Sequence, residues 1–269
     1  MEENTDKVKN YYNDHVTDED RRLEYHFLEM PLTIRYIERY LKPGSEILDL
    51  ACGTGRYAWA LLNKGYRLYL NDISEENIRI AEKRVSGHEG LLGIECSDVL
   101  NRGLWEDRPW DGILLLGPLY HLVLPDDRIK ILKKASAALK EKGYLFTAFM
   151  SRMLALVFGL KRNPEGIFKE EGVRHLLNFG TDKTFVSGTE WFKNAYFAFP
   201  EEIDPLMEAA GLLPLHLIGI EGCFGERMEL LHAMDEALKK EWTAFVYRHC
   251  EEKHMVQLSK HLLSVSQRP

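Results

Sequence analysis

The stretch Glu46-Ile-Leu-Asp-Leu-Ala-Cys-Gly-Thr-Gly-Arg-Tyr57 joins two kinds of local structure. Its first half is a short apolar run that is typical of a buried strand, and the residues after Gly55 follow a helical pattern that ends near Lys64. Gly53 and Gly55 allow the backbone to turn sharply and leave room for a ligand where a Cβ atom would clash. The start of the helix offers unpaired N–H groups to an anion. The stretch therefore predicts a strand, a turn and a helix that together bind a ligand.

The next hundred residues alternate between strand and helix patterns. Apolar runs that are typical of strands recur at residues 67–72, 90–96, 110–116 and 144–150. Helical patterns lie between them: one is capped by Ser74, and another starts at Pro125 and runs to about residue 140. The strands are apolar almost throughout, as expected when helices cover both faces of a sheet. The alternation predicts an α/β, doubly wound fold with a parallel sheet.

The composition excludes several classes of protein. The chain has 269 residues, 45% of them hydrophobic, so it can bury a sizeable core. Its 35 basic and 42 acidic side chains leave a net charge of −7, which argues against a general binder of nucleic acids or anionic membranes. The N-terminus lacks a signal-peptide pattern, and no apolar run approaches the ~18 residues of a membrane span. We expect a cytoplasmic protein without a nucleic-acid or membrane partner.

The cysteines and histidines do not form a metal-binding pattern. No C-x-x-C pair occurs among the four cysteines, Cys52, Cys96, Cys223 and Cys250. The nearest approach to a metal cluster is His249-Cys250 followed by His254, which also fits one polar face of a helix. We therefore expect no bound metal.

Two carboxylates distinguish between the ligands that such a turn can bind. Asp49 lies four residues before Gly53, where a strand that binds a dinucleotide is normally apolar, and a carboxylate there suits a cationic ligand group. Asp72 ends the second strand, where an acid can accept hydrogen bonds from both hydroxyls of a ribose. A nicotinamide cofactor would explain Asp72 but not Asp49.

Three motifs together resemble the class I S-adenosylmethionine-dependent methyltransferases: Asp49-Leu-Ala-Cys-Gly-Thr-Gly55, Asn71-Asp-Ile-Ser74 and Cys96-Ser-Asp-Val99. The resemblance implies S-adenosyl-L-methionine as cofactor, S-adenosyl-L-homocysteine as product, and a Rossmann-like sheet. It also implies that the first loop holds the methionine part of the cofactor, that Asp72 holds the ribose and that Asp98 accepts from the adenine amine. The full set of expected cofactor-binding residues is Tyr12, Asp49, Ala51, Gly53, Gly55, Asp72, Ile73, Asn77, Ser97, Asp98, Val99, Leu116 and Gly117.

A narrower resemblance extends over most of the chain. Its segments are Tyr11-Tyr-Asn13, Leu116-Gly-Pro-Leu-Tyr-His-Leu122, Tyr196-Phe-Ala-Phe-Pro-Glu-Glu-Ile203, Ile220-Glu-Gly222 and His261-Leu-Leu263. They are similar to a group of bacterial small-molecule methyltransferases described as similar to quinone-biosynthesis enzymes. The chain departs from this group at Cys52, Thr54 and Ala198, where glycine, proline and histidine are common. The absence of a histidine at Ala198 weakens any expectation of a catalytic imidazole there.

We interpret residues 1–269 as one domain built from four parts. A helical N-terminal lid is expected at residues 1–40, the cofactor-binding core at 41–150, a cap insertion at 151–200, and the rest of the sheet at 201–269. The last part contains a sixth strand at 212–220, a helical insertion at 222–258 and a seventh strand at 261–266. The fold expected is thus seven-stranded, with helical insertions after strands 5 and 6.

The loop after the fourth strand carries the candidate catalytic groups. Leu116-Gly-Pro-Leu-Tyr120 lacks the amide or acid with which base N-methyltransferases hold their target amine, which counts against that class. His121 is a candidate general base, because an imidazole is half charged near neutral pH; the alternative is that it caps or packs the next helix. Tyr120 is expected to shape the pocket. Tyr11 and Tyr12 either close over the cofactor or belong to a packed N-terminal helix.

The leading hypothesis is an enzyme that moves the methyl group of S-adenosylmethionine to an oxygen, nitrogen or sulfur of a small-molecule acceptor. The alternatives are a cofactor-binding sensor without turnover, an RNA or protein methyltransferase, and a nicotinamide enzyme. The apolar stretch from Met153 to Leu160 lines a substrate pocket, forms a dimer contact or is the buried face of a helix. We expect a monomer or a homodimer.

Overall fold

The computed structural model describes residues 2–16, 25–101, 103–182 and 195–269. In these ranges, seven strands form one sheet with the order β3-β2-β1-β4-β5-β7-β6. The strands are β1 (Glu46–Leu50), β2 (Arg67–Asp72), β3 (Leu91–Cys96), β4 (Trp110–Leu115), β5 (Leu139–Met150), β6 (Leu213–Gly219) and β7 (His261–Gln267). The first five pair in parallel, and β7 runs antiparallel to both β5 and β6. The predicted doubly wound, seven-stranded fold is confirmed, with β7 making the sheet mixed.

Helices fill the connections and the two predicted insertions. They are α1 (Glu2–Asp14), α2 (Glu29–Tyr40), α3 (Arg56–Leu62), α4 (Glu75–Val85), α5 (Pro125–Ala138), α6 (Arg152–Arg162), α7 (Glu170–Phe179), α8 (Pro200–Ala209), α9 (Met228–His232), α10 (Glu236–His249) and α11 (Lys253–Leu258). Ser74 caps α4 as predicted, since its side chain accepts a hydrogen bond from the backbone N–H of Asn77 at 3.1 Å. Within the described ranges, none of the helices is both long and apolar enough to cross a bilayer.

The sheet is buried on both faces. In β1, Ile47 belongs to one apolar cluster and Leu48 and Leu50 belong to a second, because successive side chains of a strand point to opposite faces. Asp49 lies between them and is also buried. This is why β1 reads as an apolar run with a carboxylate inside it.

Strand β5 begins earlier than the sequence pattern predicts. The pattern places helix as far as residue 140 and strand from residue 144, but α5 ends at Ala138 and Leu139 already pairs with Trp110. The register then shifts, and Lys142 adopts a positive φ of 61°. The polar residues 141–143 are therefore an irregular bend within the strand, because the backbone pairs on both sides of them.

Arg152 joins the two ends of the insertion that follows β5. Helices α6 and α7 belong to the predicted cap insertion 151–200, of which residues 183–194 lie outside the described residues. The Arg152 Nε donates to the backbone oxygen of Phe197 at 3.1 Å, and its guanidinium pairs with Glu202 at 2.7 Å. The base of the insertion is thus closed by a buried arginine. That the insertion acts as a cap stays a prediction.

The N-terminal helix packs against the start of α4. Lys9 pairs with Glu75 at 2.7 Å, and the Ser74 hydroxyl donates to Asn13 Oδ1 at 2.6 Å. Part of the predicted lid 1–40, residues 17–24, lies outside the described residues. These contacts place α1 beside the carboxyl ends of β1 and β2, where the candidate site lies.

Candidate functional site

A cavity of about 160 Å³ opens at the carboxyl ends of β1, β2, β3 and β4. This is the edge at which open α/β sheets bind ligands. All predicted site residues except Gly55 and Ser97 line it, namely Tyr12, Asp49, Ala51, Gly53, Asp72, Ile73, Asn77, Asp98, Val99, Leu116, Gly117, Tyr120 and His121. We call it the smaller cavity.

Asp72 organises the loops around the smaller cavity. Its Oδ2 accepts a hydrogen bond from the backbone N–H of Gly53 at 2.8 Å. Its Oδ1 accepts from the backbone N–H of Ser74 at 2.8 Å and from the side-chain amide of Asn77 at 3.3 Å. Burial raises the pKa of Asp72, and these hydrogen bonds oppose the rise. Asp72 thus ties the turn at Gly53 to the start of α4 through one carboxylate.

Asp49 is a buried carboxyl group that faces the smaller cavity. Only 2% of Asp49 is exposed, and no hydrogen bond from the described residues contributes to its pKa. Burial and, to a smaller degree, the charge of Asp72 raise its pKa to about 8. An ionised carboxylate in such a place is stabilised by a cation next to it. The geometry thus favours a cationic ligand group at Asp49.

The two glycines of the turn have different functions. Gly53 has a φ of 53° and nothing within 4 Å of the position of a Cβ atom, so it faces open space at the cavity wall. Gly55 has a φ of 78°, and a Cβ there would lie 3.1 Å from the Cβ of Ala81. Gly55 therefore allows the turn to pack closely on α4 and does not line the cavity.

The turn also contains a strained residue that is not a glycine. Ala51 has a φ of 119°, a region that residues with a side chain rarely adopt. The backbone N–H groups of Ala51 and Cys52 both donate to the backbone oxygen of Asn71 at 2.9 Å, which holds this conformation. Strain of this kind is concentrated at ligand sites.

Asn71 is a site residue that the sequence analysis missed. It lines the smaller cavity, and its side-chain amide donates to the Ser97 hydroxyl at 2.7 Å and to the Ser97 backbone oxygen at 3.2 Å. Ser97 therefore links β2 to the end of β3 and does not itself line the cavity. The signal that could have identified Asn71 is its place directly before Asp72. The other lining residues that were missed are Val8, Glu29, Cys52, Thr54, Arg56, Tyr57, Leu100, Pro118 and Leu122.

Asp98 lines the smaller cavity from the end of β3. Its Oδ1 accepts a hydrogen bond from the backbone N–H of Leu100 at 2.9 Å, as an aspartate does in a local turn. Asp98 thus both stabilises a local turn and lines the smaller cavity.

The candidate base His121 contacts the N-terminal helix. The Tyr12 hydroxyl lies 2.8 Å from its Nε2, and the two rings meet edge to face. Burial lowers the pKa of His121 to about 4, so the ring is neutral at pH 7 and not half charged as expected. The contact connects α1 to the loop after β4 across the smaller cavity.

A second cavity, of about 530 Å³, adjoins the first; we call it the larger cavity. Glu29, Tyr57, Leu116 and Tyr120 line both. The rest of the larger cavity is mostly apolar and lies at the ends of β5 and β7, with Phe149, Met150, Leu154, Phe158, Ile220 and Leu262 among its walls. Leu154 and Phe158 belong to the apolar stretch 153–160, so part of that stretch lines a cavity.

One group of histidine and glutamate side chains adjoins the larger cavity. His26, Glu221 and His261 have nitrogen and oxygen atoms within 4.8 Å of one another, the one such group in the described ranges that could hold a metal. His249 and His254 instead pair with Glu252, at 2.5 and 3.2 Å.

Comparisons with known proteins agree with this geometry. The family profile described as "Methyltransferase domain" matches residues 47–143. The "Putative methyltransferase YqeM" of Bacillus subtilis is 30% identical over 181 residues, which cover 62% of this chain and 69% of that protein. The "Ubiquinone biosynthesis O-methyltransferase" of Coxiella burnetii is 28% identical over 192 residues, covering 71% of this chain and 73% of that protein.

A solved structure has the same fold. The magnesium protoporphyrin IX methyltransferase of Synechocystis PCC 6803, with bound SAH, superposes with a TM-score of 0.59 at 14% identity. The superposition covers 99% of this chain and 100% of that one. Together with the 30% identity to the Bacillus protein, the findings identify the family. The chain belongs to the class I S-adenosylmethionine-dependent methyltransferases.

Proposed function

We propose that this enzyme transfers a methyl group from S-adenosylmethionine to an apolar small molecule held in the larger cavity. One observation carries the proposal: the smaller and the larger cavity adjoin each other and share four lining residues, Glu29, Tyr57, Leu116 and Tyr120. A donor and an acceptor bound in adjoining cavities can meet without leaving the protein. Such positioning supplies much of the rate in a group transfer.

The residues of the smaller cavity fit the cofactor. The buried carboxyl of Asp49 would face its ammonium group. Asp72 would accept from the ribose hydroxyls, and Asp98 and Val99 would lie along the adenine. The supporting observation is the carboxyl of Asp49. Burial raises its pKa to about 8, and a cation beside it would lower that pKa.

The cofactor supplies a methyl group that is already electrophilic, because it is bonded to a positively charged sulfur. The protein must align the acceptor and exclude water. Tyr12 of α1 and His121 of the loop after β4 meet at 2.8 Å beside the smaller cavity, which supports a lid function for α1. Tyr120 lies at the shared wall, where it would shape the space around the methyl group.

The lining of the larger cavity supports a small, apolar acceptor over a macromolecule. Phe149, Leu154 and Phe158 form apolar walls, and a net charge of −7 disfavours RNA. Two of the similar proteins are named for ubiquinone biosynthesis and for magnesium protoporphyrin IX, both compounds with large apolar parts. Cytoplasmic location and a monomeric or homodimeric state stay predictions.

An experiment separates the two cavities. Ala148 lines only the larger cavity, so Ala148→Phe should fill it and block the acceptor while leaving the cofactor site intact. We expect formation of S-adenosylhomocysteine with a panel of phenols, amines and thiols to fall at least tenfold. The affinity for S-adenosylmethionine, measured by calorimetry, should change by less than twofold.

Leu100→Ala is the matched variant, because Leu100 lines only the smaller cavity. It should weaken cofactor binding and leave the acceptor KM unchanged. Turnover by the wild-type enzyme on RNA or protein, with none on the panel, would contradict the proposal.

A further inference from the structure

Two segments of the narrower resemblance have no place in the cofactor site. They are Ile220-Glu-Gly222, after β6, and His261-Leu-Leu263, which begins β7. Because β6 and β7 are antiparallel, the end of one lies beside the start of the other, and the backbone N–H of Ile220 donates to the oxygen of His261 at 3.0 Å. Ile220 and His261 both line the larger cavity.

Glu221 holds the imidazole of His261 from a position outside the lining of the larger cavity. Its carboxylate is 1% exposed and does not line the cavity. Its Oε2 accepts the backbone N–H of His261 at 3.1 Å, and its Oε1 makes a close hydrogen bond with the ring Nδ1. Burial alone would raise the pKa of Glu221, but the charge and hydrogen bonds of His261 outweigh burial and lower it. An ionised Glu221 therefore fixes the tautomer with hydrogen on Nδ1, which makes Nε2 the proton-accepting nitrogen.

The other charged groups near this pair come from three directions. The ring centroid of His26, before α2, lies 5.2 Å from that of His261, and Glu29 follows at the start of α2. Lys260 pairs with Glu226 at 2.5 Å and donates to the backbone oxygen of Gly225 at 2.7 Å. Lys161 pairs with the same carboxylate at 2.7 Å, so two lysines share Glu226 beside the larger cavity.

We propose that His261 is the general base of this enzyme, positioned by Glu221, and that the acceptor carries an ionisable hydroxyl such as a phenol. The inference rests on the proposed function and deepens it, because it names the atom that is methylated. His261 lines the larger cavity, where the acceptor is placed. His121 is less suited, since it lines the smaller cavity and not the larger one.

The proton and electrons of the step balance. The O–H bond of the acceptor breaks, and its proton goes to Nε2 of His261, beside the negative charge of Glu221. The oxygen uses its electron pair to bond the methyl carbon, while the electrons of the carbon–sulfur bond stay on sulfur. One positive charge disappears from sulfur and one appears on the imidazole, which then releases the proton to water.

A hydrogen-bonded pair explains this cluster better than a metal site does. Ligand atoms at about 2.1 Å from one tetrahedral ion lie more than about 3 Å apart. The Nδ1 of His261 and the Oε1 of Glu221 are instead in direct hydrogen-bond contact. That contact is the arrangement in which a carboxylate orients a catalytic histidine.

The first test needs no acceptor. The imidazole pKa of His261 is measured by NMR titration in the cofactor-free protein, with His261→Gln used to assign its signal. Glu221→Gln should lower this pKa by about one unit or more, because a neutral amide no longer stabilises the imidazolium. An unchanged pKa in a folded variant would overturn the inference and leave the proposed function standing.

The second test compares catechol with 4-nitrocatechol, which is already largely ionised near neutral pH. With catechol, His261→Gln should lower kcat about 10²- to 10⁴-fold, the usual contribution of a general base. With 4-nitrocatechol the loss should shrink to less than about tenfold, because the proton has already left. Equal losses on both, or activity that chelation of metals abolishes and added Zn²⁺ or Mg²⁺ restores, would overturn the base assignment.

A second histidine–glutamate pair provides the control. His249 and Glu252 lie 2.5 Å apart on an exposed part of the chain and line neither cavity. His249→Gln should leave kcat and its pH profile unchanged. Thermal melts and cofactor titration of the Glu221 and His261 variants verify that they fold. Wild-type enzyme that binds S-adenosylmethionine but methylates only amines or thiols would contradict the inference and not the small-molecule function.

Discussion

The two cavities of this molecule are built in different ways. Apart from α1 and Glu29, the smaller one is lined by residues 49–122, from loops that directly follow four neighbouring parallel strands. The larger one gathers residues from the N-terminal segment, the insertion after β5, the end of β6 and the start of β7. The smaller cavity is thus a local property of consecutive motifs, whereas the larger cavity exists only when distant segments meet. A sequence can therefore predict the cofactor of such a protein without predicting its acceptor.

The first prediction concerns the group that holds the smaller cavity together. Asp72→Ala should weaken S-adenosylmethionine binding at least 100-fold. The change removes a ligand group and also leaves the buried N–H groups of Gly53 and Ser74 without an acceptor, each at about 1–3 kcal/mol. Calorimetric titration measures the effect. Asp98→Ala is the comparison, and its loss should be nearer tenfold because Asp98 holds only the local turn at Leu100; equal losses would mean that Asp72 has no such organising role.

The second prediction compares two glycines of one turn. Gly55→Ala should lower the free energy of unfolding by about 2–3 kcal/mol, because the new Cβ meets Ala81 in addition to the cost of a positive φ. Gly53→Ala should cost only about 1 kcal/mol, since there is space for its Cβ. Urea unfolding of both variants measures the difference. Equal costs would show that the close packing on α4 has no energetic weight.

The third prediction concerns the pH dependence of cofactor affinity. With a pKa of about 8, Asp49 is protonated in the empty protein at pH 6.5, so a cationic ligand must displace that proton. The affinity for S-adenosylmethionine should rise about tenfold between pH 6.5 and 8 and level off above. Asp49→Asn should flatten this rise, which calorimetry in several buffers would reveal as a loss of proton release.

The same shift has an opposite consequence for the empty protein. A carboxyl whose pKa is higher in the folded state than in the unfolded state, about 4, favours folding when it is protonated. The contribution of Asp49 should therefore decrease as the pH rises from about 4 to about 8. A melting temperature that rose over this interval in the wild type, relative to Asp49→Asn, would contradict the assignment.

The smallest expected effect is at the contact across the smaller cavity. Tyr12→Phe removes the hydroxyl that lies 2.8 Å from His121 and keeps the ring. We expect cofactor affinity to fall about threefold, in line with the net value of one hydrogen bond. Removal of residues 1–14 should have a larger effect on turnover than Tyr12→Phe. If the truncated enzyme kept full turnover, α1 would not be a lid.

The sequence anticipated the smaller cavity well, for a physical reason. A parallel strand, a turn and a helix form from neighbouring residues, so Asp49, Gly53 and Asp72 have their places as soon as the strands are recognised. The motif also named Gly55 and Ser97, which the structure places behind the cavity wall, in contact with Ala81 and Asn71. Whether a motif residue faces the ligand or supports one that does depends on packing between elements.

The fold class, the family and the cofactor motif could all be predicted from the residue pattern, as could the order of strands and helices along the chain. Only the tertiary structure brought Glu221 and His261 together and gave Leu154 and Phe158 a cavity to line. It also replaced the expected half-charged His121 by a neutral, partly buried ring. The reason is that burial and long-range contacts set the pKa and the neighbours of a side chain, and neither is encoded in the residues next to it.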